Sequence, residues 1–278
     1  MQEPGRAAAH HVPRVHTGAS PVARRSALIH RFMLSYFERY FTRHMNALRV
    51  ANWGMPPSVQ GGPLIVYSNH PAWWDAAVYI LAADRFFPTH ESYAPIDAAM
   101  LKQYGVFGRI GAFGVDLDTP RGAAAFLASS REILASPKRA LWITAQGRFS
   151  DVRERPLGLK PGVARLAELA PDCTILPLAI EYGFWLERGA EAFIGFGSPI
   201  AGRTLLDSPR PERLDLLERN LVTTLDRLSA DVRSREPALF RTVIEGRSGI
   251  GGVYDGWRRM MAAMKGRRFD PSHEGQRT

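Results

Sequence analysis

Hydrophobic and polar positions change along the chain in blocks that predict strands followed by helices. Short apolar runs, which are typical of buried strands, occur at Leu64–Ser68 and at residues 140–144 and 174–181. Segments with apolar residues at helical spacing separate them, and the two longest cover residues 121–135 and 211–235. Because strands alternate with helices, the pattern predicts an α/β fold with a mostly parallel central sheet flanked by helices.

Weaker patterns complete this central region. Three short strands are predicted at residues 92–94, 113–117 and 192–197, and three further helices at residues 73–83, 96–104 and 161–169. The residues from 146 to 159 are mostly polar and show no period, which predicts a long loop after one of the buried strands.

An amphipathic pattern of another kind covers residues 28–50. Leucine, methionine, phenylalanine and tyrosine recur there at helical spacing, with Arg31, Arg39, Arg43 and Arg49 between them. An aromatic and basic amphipathic helix of this kind can lie in a bilayer interface. The same pattern also fits a helix that packs its apolar face on the body of the protein, and the sequence leaves both interpretations open.

These patterns divide the chain into four segments. Residues 1–25 are predicted to be a disordered basic tail, and residues 26–58 the amphipathic, membrane-associating helical segment. Residues 59–240 form the predicted folded domain, and residues 241–278 a basic C-terminal extension. No stretch has the roughly 20 apolar residues of a membrane-spanning helix, and the basic tail has no hydrophobic segment of a signal peptide.

Composition restricts the class of protein. The 278 residues are 45% hydrophobic and 23% charged, which excludes a largely disordered or fibrous chain. The single cysteine, Cys173, excludes an intramolecular disulfide and a multi-cysteine metal site. Its place before an apolar strand predicts a buried thiol.

The formal net charge of +9 is concentrated at the two ends of the chain. Residues 1–50 contain 8 basic and 2 acidic residues, and residues 257–278 contain 6 basic and 2 acidic residues. The segment between them contains 22 basic and 23 acidic residues. The central body is therefore nearly neutral, which argues against a nucleic-acid binder. Basic ends on a neutral body instead predict contact with an anionic membrane surface.

One short segment carries the strongest chemical signal. His70 follows the predicted strand Leu64–Ser68 after one residue, and Asp75 lies five residues later at the start of a helix. Functional groups collect at the carboxyl ends of strands in α/β sheets. A carboxylate that accepts from one ring nitrogen leaves the other free to take a proton, so the pair fits a general base. The alternative is that Asp75 caps the helix and His70 caps the loop.

The spacing His70-x4-Asp75 resembles the HX4D motif of the glycerolipid acyltransferase family, which includes the 1-acylglycerol-3-phosphate acyltransferases. Three further blocks of that family have counterparts in the expected order, at residues 113–121, 145–150 and 175–182. In the family these are usually a Gly-hydrophobic-Asp-Arg segment, a Pro-Glu-Gly-Thr-Arg-Ser segment, and a strand entered through proline. The chain is identified as a divergent member of this family.

The resemblance implies acyl transfer from acyl-CoA or acyl carrier protein to a hydroxyl of a lysophospholipid, glycerolipid or glycolipid. His70 then deprotonates the hydroxyl, Asp75 holds the imidazole, and backbone N–H groups near Gly147 stabilise the oxyanion. Trp73 and Trp74 flank the turn and are the candidates for acyl-chain binding. No metal or bound cofactor is implied, and the expected location is cytoplasmic and peripheral, on the inner face of the cell membrane.

The chain departs from the family pattern where the acceptor binds. The acceptor-binding candidates by resemblance are Gln146, Gly147, Arg148 and Arg121. Gln146 stands in place of a glutamate, while Leu117 and Phe149 stand in place of two arginines. Because neither of these apolar side chains can bind a phosphate, we expect an acceptor other than a phosphate monoester. A second hypothesis is a catalytically weakened relative that binds lipid or membrane without turnover.

Overall fold

The computed structural model describes residues 20–59, 61–185 and 188–246. Within these residues, nine strands form a single sheet. They are β1 (Met45–Ala51), β2 (Leu64–Ser68), β3 (Glu91–Asp97), β4 (Ala112–Val115), β5 (Arg139–Thr144), β6 (Thr174–Gly183), β7 (Ala190–Phe196), β8 (Ile200–Ala201) and β9 (Phe240–Glu245).

Helices connect most of these strands and cover both faces of the sheet. They are α1 (Pro21–Arg24), α2 (Ala27–His44), α3 (Asp75–Phe86), α4 (Ala98–Gln103), α5 (Val106–Arg109), α6 (Pro120–Leu134), α7 (Leu166–Leu169), α8 (Gly202–Asp207) and α9 (Arg210–Ser234). Short 3-10 turns occur at Asn52–Gly54, Val163–Arg165 and Pro237–Leu239. The long loop predicted between β5 and the turn at Val163–Arg165 is confirmed.

The order of the strands across the sheet is β4-β3-β5-β2-β6-β7-β1-β9, and β8 pairs with β6. The pairs β6–β7, β1–β9 and β6–β8 are antiparallel, and the other pairs are parallel. The predicted α/β fold with a mostly parallel sheet is confirmed. Ser68 at the end of β2 pairs with Thr144 at the end of β5 and with Leu178 on β6, so β2 and β5 end together beside β6, which runs on to Gly183.

Each face of the sheet has its own hydrophobic core. Helix α9 buries a stripe of leucines against one face, among them Leu217 and Leu221. Helices α2 and α3 cover the other face with Phe41 and Val78. Each large apolar side chain that is fully buried stabilises the fold by roughly 1.5–3 kcal/mol. Because Phe41 of α2 is buried in this second core, the interpretation in which the N-terminal helix packs on the body of the protein holds.

The N-terminal segment differs from its predicted form in one respect. The predicted helical segment of residues 26–58 ends at His44, and the next seven residues form strand β1 inside the sheet. All seven are buried, so the strand lacks the alternation of apolar and polar positions that would have marked it. Arg49 is tolerated there because its Nε donates to Glu191 on β7 at 2.5 Å.

The boundaries of the folded domain also differ. Strand β9 pairs with β1 and continues past residue 240, where the C-terminal extension was predicted to begin. The predicted disordered tail, residues 1–25, includes the helical turn α1, which Ser20 caps. The remaining residues of the two end segments, 1–19 and 247–278, lie outside the described residues.

Candidate active site

The turn after β2 holds His70 at the edge where β2 and β5 end, beside β6, which continues to Gly183. Asn69 anchors this turn, because its side-chain amide donates to Ile180 O at 2.8 Å and its side-chain oxygen accepts from Ile180 N at 2.9 Å. The backbone N–H of Ser150 donates to His70 O at 3.0 Å. Sequence reasoning missed Asn69, although an amide directly between a buried strand and the histidine was a visible signal.

The imidazole of His70 and the carboxylate of Asp75 form the pair that the spacing predicts. Nδ1 of His70 lies 2.6 Å from Oδ2 of Asp75. Asp75 is the first residue of α3 and only 1% exposed, and its Oδ2 also accepts from Ala72 N at 3.3 Å. Because a carboxylate only accepts hydrogen bonds, Nδ1 carries the hydrogen and Nε2 keeps its lone pair. The ring nitrogen that can take a proton is therefore Nε2.

A third polar side chain completes the hydrogen bonds of Asp75. The hydroxyl of Tyr182, near the end of β6, donates to Oδ1 of Asp75 at 2.7 Å. Burial, and then the charge of Asp75, raises the pKa of Tyr182 well above its ordinary value, so the hydroxyl keeps its proton and stays a donor. Tyr182 closes the fourth sequence block, but nothing in the pattern distinguishes it from any strand tyrosine.

An apolar cleft of about 480 Å³ opens beside the imidazole. Residues of α2, α3, α5 and the strands β3 to β5 form its walls, with His70, Asp75 and Phe149 among the lining residues. A largely apolar cleft with a few convergent polar groups is the usual form of a small-molecule site. The apolar lining suits an apolar ligand, and the imidazole of His70 is one of the polar groups that such a ligand would meet.

The two tryptophans predicted to bind the acyl chain lie in different surroundings. Trp73 lines the cleft and is 50% exposed. Trp74 does not line the cleft, and its ring packs on Tyr40 and Phe41 of α2, with ring centroids 5.4 and 6.0 Å apart. Trp73 is therefore placed to contact a molecule in the cleft, and Trp74 belongs to the helix packing.

Gln146 lies in an environment that differs from the one expected of an acceptor-binding residue. Its side chain is 1% exposed and does not line the cleft. Its Oε1 accepts from His70 N at 3.0 Å, and its Nε2 donates to Leu157 O at 3.0 Å. Both ends of the amide are thus engaged within the protein. The structure uses Gln146 to position the turn that carries His70.

Gly147 turns the chain directly after Gln146. Its φ of +64° lies in the left-handed region, which glycine adopts without steric cost. Its N–H donates to Thr144 O at 3.0 Å, so this N–H is already used within the turn. Within the described part of the chain, the next two backbone N–H groups, of Arg148 and Phe149, have no hydrogen-bond partner.

Of the two arginines predicted to bind the acceptor, one lines the cleft and the other does not. Arg148 lines the cleft, and its guanidinium forms an ion pair with Glu154. Arg121 is exposed in the first turn of α6 and does not line the cleft. Phe149 is 58% exposed, and its ring centroid lies 4.2 Å from that of His70. An aromatic ring, where the family pattern has an arginine, is therefore the immediate neighbour of the imidazole.

Two further features of the described residues bear on the chemistry. The predicted burial of Cys173 is confirmed, and burial raises the pKa of its thiol to about 12. The thiol is therefore protonated near neutral pH and is a poor nucleophile. In residues 20–59, 61–185 and 188–246, no group of three or more histidine, cysteine, aspartate and glutamate side chains is arranged to hold a metal ion.

Comparison with known proteins gives one match to a family model and a likeness to a solved structure. Residues 47–181 match the family model described as Acyltransferase, and this segment contains both His70 and Asp75. The matched segment is 135 of the 278 residues, and it agrees with the resemblance that the sequence blocks carry.

Among solved structures, the chain is similar to the 1-acyl-sn-glycerophosphate (LPA) acyltransferase PlsC from Thermotoga maritima. The two share 16% sequence identity over 72% of this chain and 81% of that one, with a TM-score of 0.52. At this identity the likeness establishes the fold alone. No curated protein matches the chain. In the part of the chain that the structure describes, no helix is long and apolar enough to cross a membrane.

Proposed function

We propose that this protein is an acyltransferase that moves a fatty acyl group from a thioester to the hydroxyl of a lipid, with His70 as the general base. One observation carries the proposal: the imidazole and the buried Asp75 carboxylate lie 2.6 Å apart beside an apolar cleft of about 480 Å³. The match of residues 47–181 to the acyltransferase model supports transfer of an acyl group, and the apolar walls support a long hydrocarbon substrate.

The proposed reaction starts at the free ring nitrogen. Nε2 of His70 takes the proton of the acceptor hydroxyl while the hydroxyl oxygen attacks the carbonyl carbon of the thioester. The carbon–sulfur bond of the tetrahedral intermediate then breaks, and Nε2 returns the proton to the leaving thiolate. Asp75 keeps the ring oriented and stabilises the imidazolium through Nδ1. The products are an ester and a free thiol, and His70 is neutral again.

The oxyanion of the intermediate needs donors close to the imidazole. Gly147 donates its N–H within its own turn, so it supplies the bend rather than the hydrogen bond. The next backbone N–H groups, of Arg148 and Phe149, have no partner among the described residues and lie in the loop beside the imidazole. These two groups are the proposed oxyanion donors.

The acyl chain is proposed to occupy the cleft. Trp73 and Tyr79 on the α3 side, and Ile110 beyond α5, supply apolar wall where a hydrocarbon chain would lie. The donor is acyl-CoA or acyl carrier protein, since both present the same thioester to His70. Burial of the chain drives binding at about 0.8 kcal/mol per buried CH₂ group, which favours long acyl groups.

The acceptor is proposed to lack a phosphate monoester. Among the described residues that line the cleft, Arg148 is the one arginine, no lysine is present, and that arginine is paired with Glu154. The two positions where the family has further arginines hold Leu117 and Phe149, which are exposed. A glycolipid or glycerolipid hydroxyl fits this surface better than a dianionic phosphate, which needs charge-assisted donors.

The lipid substrates are proposed to reach the cleft from an anionic membrane surface on the cytoplasmic face. Helix α2 packs one face on the body and leaves the other exposed, with Leu28, Phe32 and Tyr36 on it. Arg31 and Arg39 are exposed between these apolar side chains. An exposed helix face that combines aromatic and basic residues suits the interface of an anionic bilayer.

The experiment combines acyl-CoA and acyl carrier protein thioesters with a panel of lysophospholipids, monoacylglycerols and glycolipids. Release of free thiol, and the acylated lipid in the extract, are measured for the wild type and for His70→Ala. We expect transfer by the wild type and a loss of about 100-fold or more in the variant. Thiol release that persists undiminished in His70→Ala would refute His70 as the base.

The second candidate, a lipid-binding relative with weak turnover, has one observation in its favour. The ring of Phe149 lies 4.2 Å from the imidazole of His70 and covers part of the base. The two candidates predict different results in the same assay. Binding of lysolipid without thiol release, for every donor and acceptor, would favour the weakened relative.

A further inference from the structure

We propose that Tyr182 is a positioning residue of the site, whose hydroxyl holds the buried carboxylate of Asp75 in the orientation that the His70 imidazole requires. The inference deepens the proposed function and rests on it, because it concerns the same pair. It assigns a role to a residue outside the HX4D segment, more than 100 positions further along the chain.

The hydrogen bonds of Asp75 are divided unequally between its two oxygens. Oδ2 accepts from the His70 ring at 2.6 Å and from Ala72 N at 3.3 Å. Oδ1 accepts from the Tyr182 hydroxyl at 2.7 Å, which is its only donor among the described residues. Because Asp75 is 1% exposed, solvent does not supply a replacement. Without the hydroxyl, a buried anionic oxygen is left unpaired, which is strongly unfavourable.

Strand β6 makes this arrangement rigid. Ile180 exchanges two hydrogen bonds with the side chain of Asn69, and Tyr182, two positions later, reaches Asp75 from the same strand. The backbone of Tyr182 is itself paired with Ala192 on β7. Strand β6 therefore anchors both Asn69, which precedes His70, and the carboxylate of Asp75, which orients the imidazole. Such a connected buried network specifies a single geometry when every member is satisfied.

The chain offers a matched control for the loss of this hydroxyl. Tyr67 on β2 is fully buried, and its hydroxyl donates one hydrogen bond, to Leu217 O at 3.1 Å. It lies in the core on the opposite face of the sheet from the core that Tyr182 packs against. Tyr67→Phe therefore removes a buried tyrosine hydroxyl and its hydrogen bond, here to a backbone carbonyl, without touching Asp75.

The kinetic test compares Tyr182→Phe and Tyr67→Phe in the full chain. We expect Tyr182→Phe to lower kcat about 10- to 100-fold with the KM of the acceptor unchanged, because Tyr182 does not line the cleft. The acid limb of the pH–rate profile should move in this variant alone. Equal kcat values and equal pH profiles for the two variants would overturn the proposal.

A second readout does not depend on turnover. The ring N–H of His70, bonded to Asp75, should give a far-downfield proton resonance that disappears in His70→Ala. We expect Tyr182→Phe to displace or remove this resonance and Tyr67→Phe to leave it in place. A resonance unchanged by Tyr182→Phe contradicts the proposal. Because this signal is measured without substrate, failure of the proposed acyl transfer is distinguished from failure of the role of Tyr182.

Discussion

The two loops that meet at the site, the turn after β2 and the loop after β5, are built in contrasting ways. In the first, Asn69, His70 and Asp75 all have hydrogen-bond partners inside the protein. In the second, Gln146 turns inward, whereas Phe149 is exposed to the cleft. Burial and hydrogen bonds fix His70, the proposed base, whereas the side chains proposed to meet the substrate are exposed. A change in the second loop can therefore alter the acceptor without displacing the base.

The largest expected effect comes from the first loop. Asp75→Asn keeps the shape of the side chain but replaces an oxygen that accepts from His70 by a group that can donate, which disfavours the required tautomer. We expect kcat to fall about 100-fold or more, with little change in acceptor KM. Steady-state thiol release measures this, and kcat within a few-fold of the wild type would show that the carboxylate is not needed.

Gln146→Glu tests whether Gln146, the inward-facing residue of the loop after β5, helps to hold His70 in place as the residues of the turn after β2 do. A carboxylate still accepts from His70 N, but it places a second oxygen against Leu157 O, where the amide donates at 3.0 Å. We expect kcat to fall about tenfold and the free energy of unfolding to drop by about 1–3 kcal/mol at pH 8. This loss of stability should become smaller as the pH falls, because a protonated carboxyl at this position can again donate a hydrogen bond to Leu157 O.

Gln103→Glu is the matched control for this change. Gln103 lies exposed on α4 and contacts neither His70 nor Leu157, so we expect its variant to resemble the wild type in both kcat and unfolding. Full activity and stability of Gln146→Glu in denaturant titrations would contradict the positioning role. It would return Gln146 to the acceptor-binding role that the family resemblance implies.

Phe149→Arg tests the contrast between the two loops at a side chain that is proposed to contact the substrate. It restores an arginine where the family pattern has one, beside the imidazole and on an exposed side chain. We expect activity on a lysophosphatidate, relative to an uncharged acceptor, to rise about tenfold, because charge-assisted contacts favour the phosphate. Phe184→Arg, an exposed phenylalanine that does not line the cleft, is the control. An unchanged ratio would show that this position does not select the acceptor.

The smallest expected effect on chemistry lies outside both loops, on helix α2. Phe32→Ser with Tyr36→Ser removes two exposed side chains, so the free energy of unfolding should change by less than about 0.5 kcal/mol. Partition onto anionic vesicles should weaken about tenfold or more, while turnover of detergent-dispersed substrate stays the same. Leu239→Ser is the control on another surface, and equal flotation of the two variants would remove α2 from the proposed membrane contact.

The elements that the sequence located best are those whose pattern is local. Helix α9 carries a regular stripe of leucines, and α6 has a proline at its start and a threonine cap, so both were predicted within one residue. The pair of His70 and Asp75 was found for a similar reason, since both groups lie on one short turn. Strand β1 was missed because residues that are buried on both faces of a sheet show no alternation of apolar and polar positions. In addition, Glu191, which pairs with Arg49 of this strand, lies far along the chain on β7.

By itself, the amino-acid sequence predicted the α/β class, the resemblance to the acyltransferases and the pairing of His70 with Asp75, because these depend on spacing within short segments. Only the tertiary structure decided which way each side chain faces. It turned Gln146 inward to His70 and brought Tyr182 to Asp75. It also separated Trp73 in the cleft from Trp74 in the helix packing. The physical reason is that hydrogen-bond partners of buried groups come from distant strands, whose register no local pattern records.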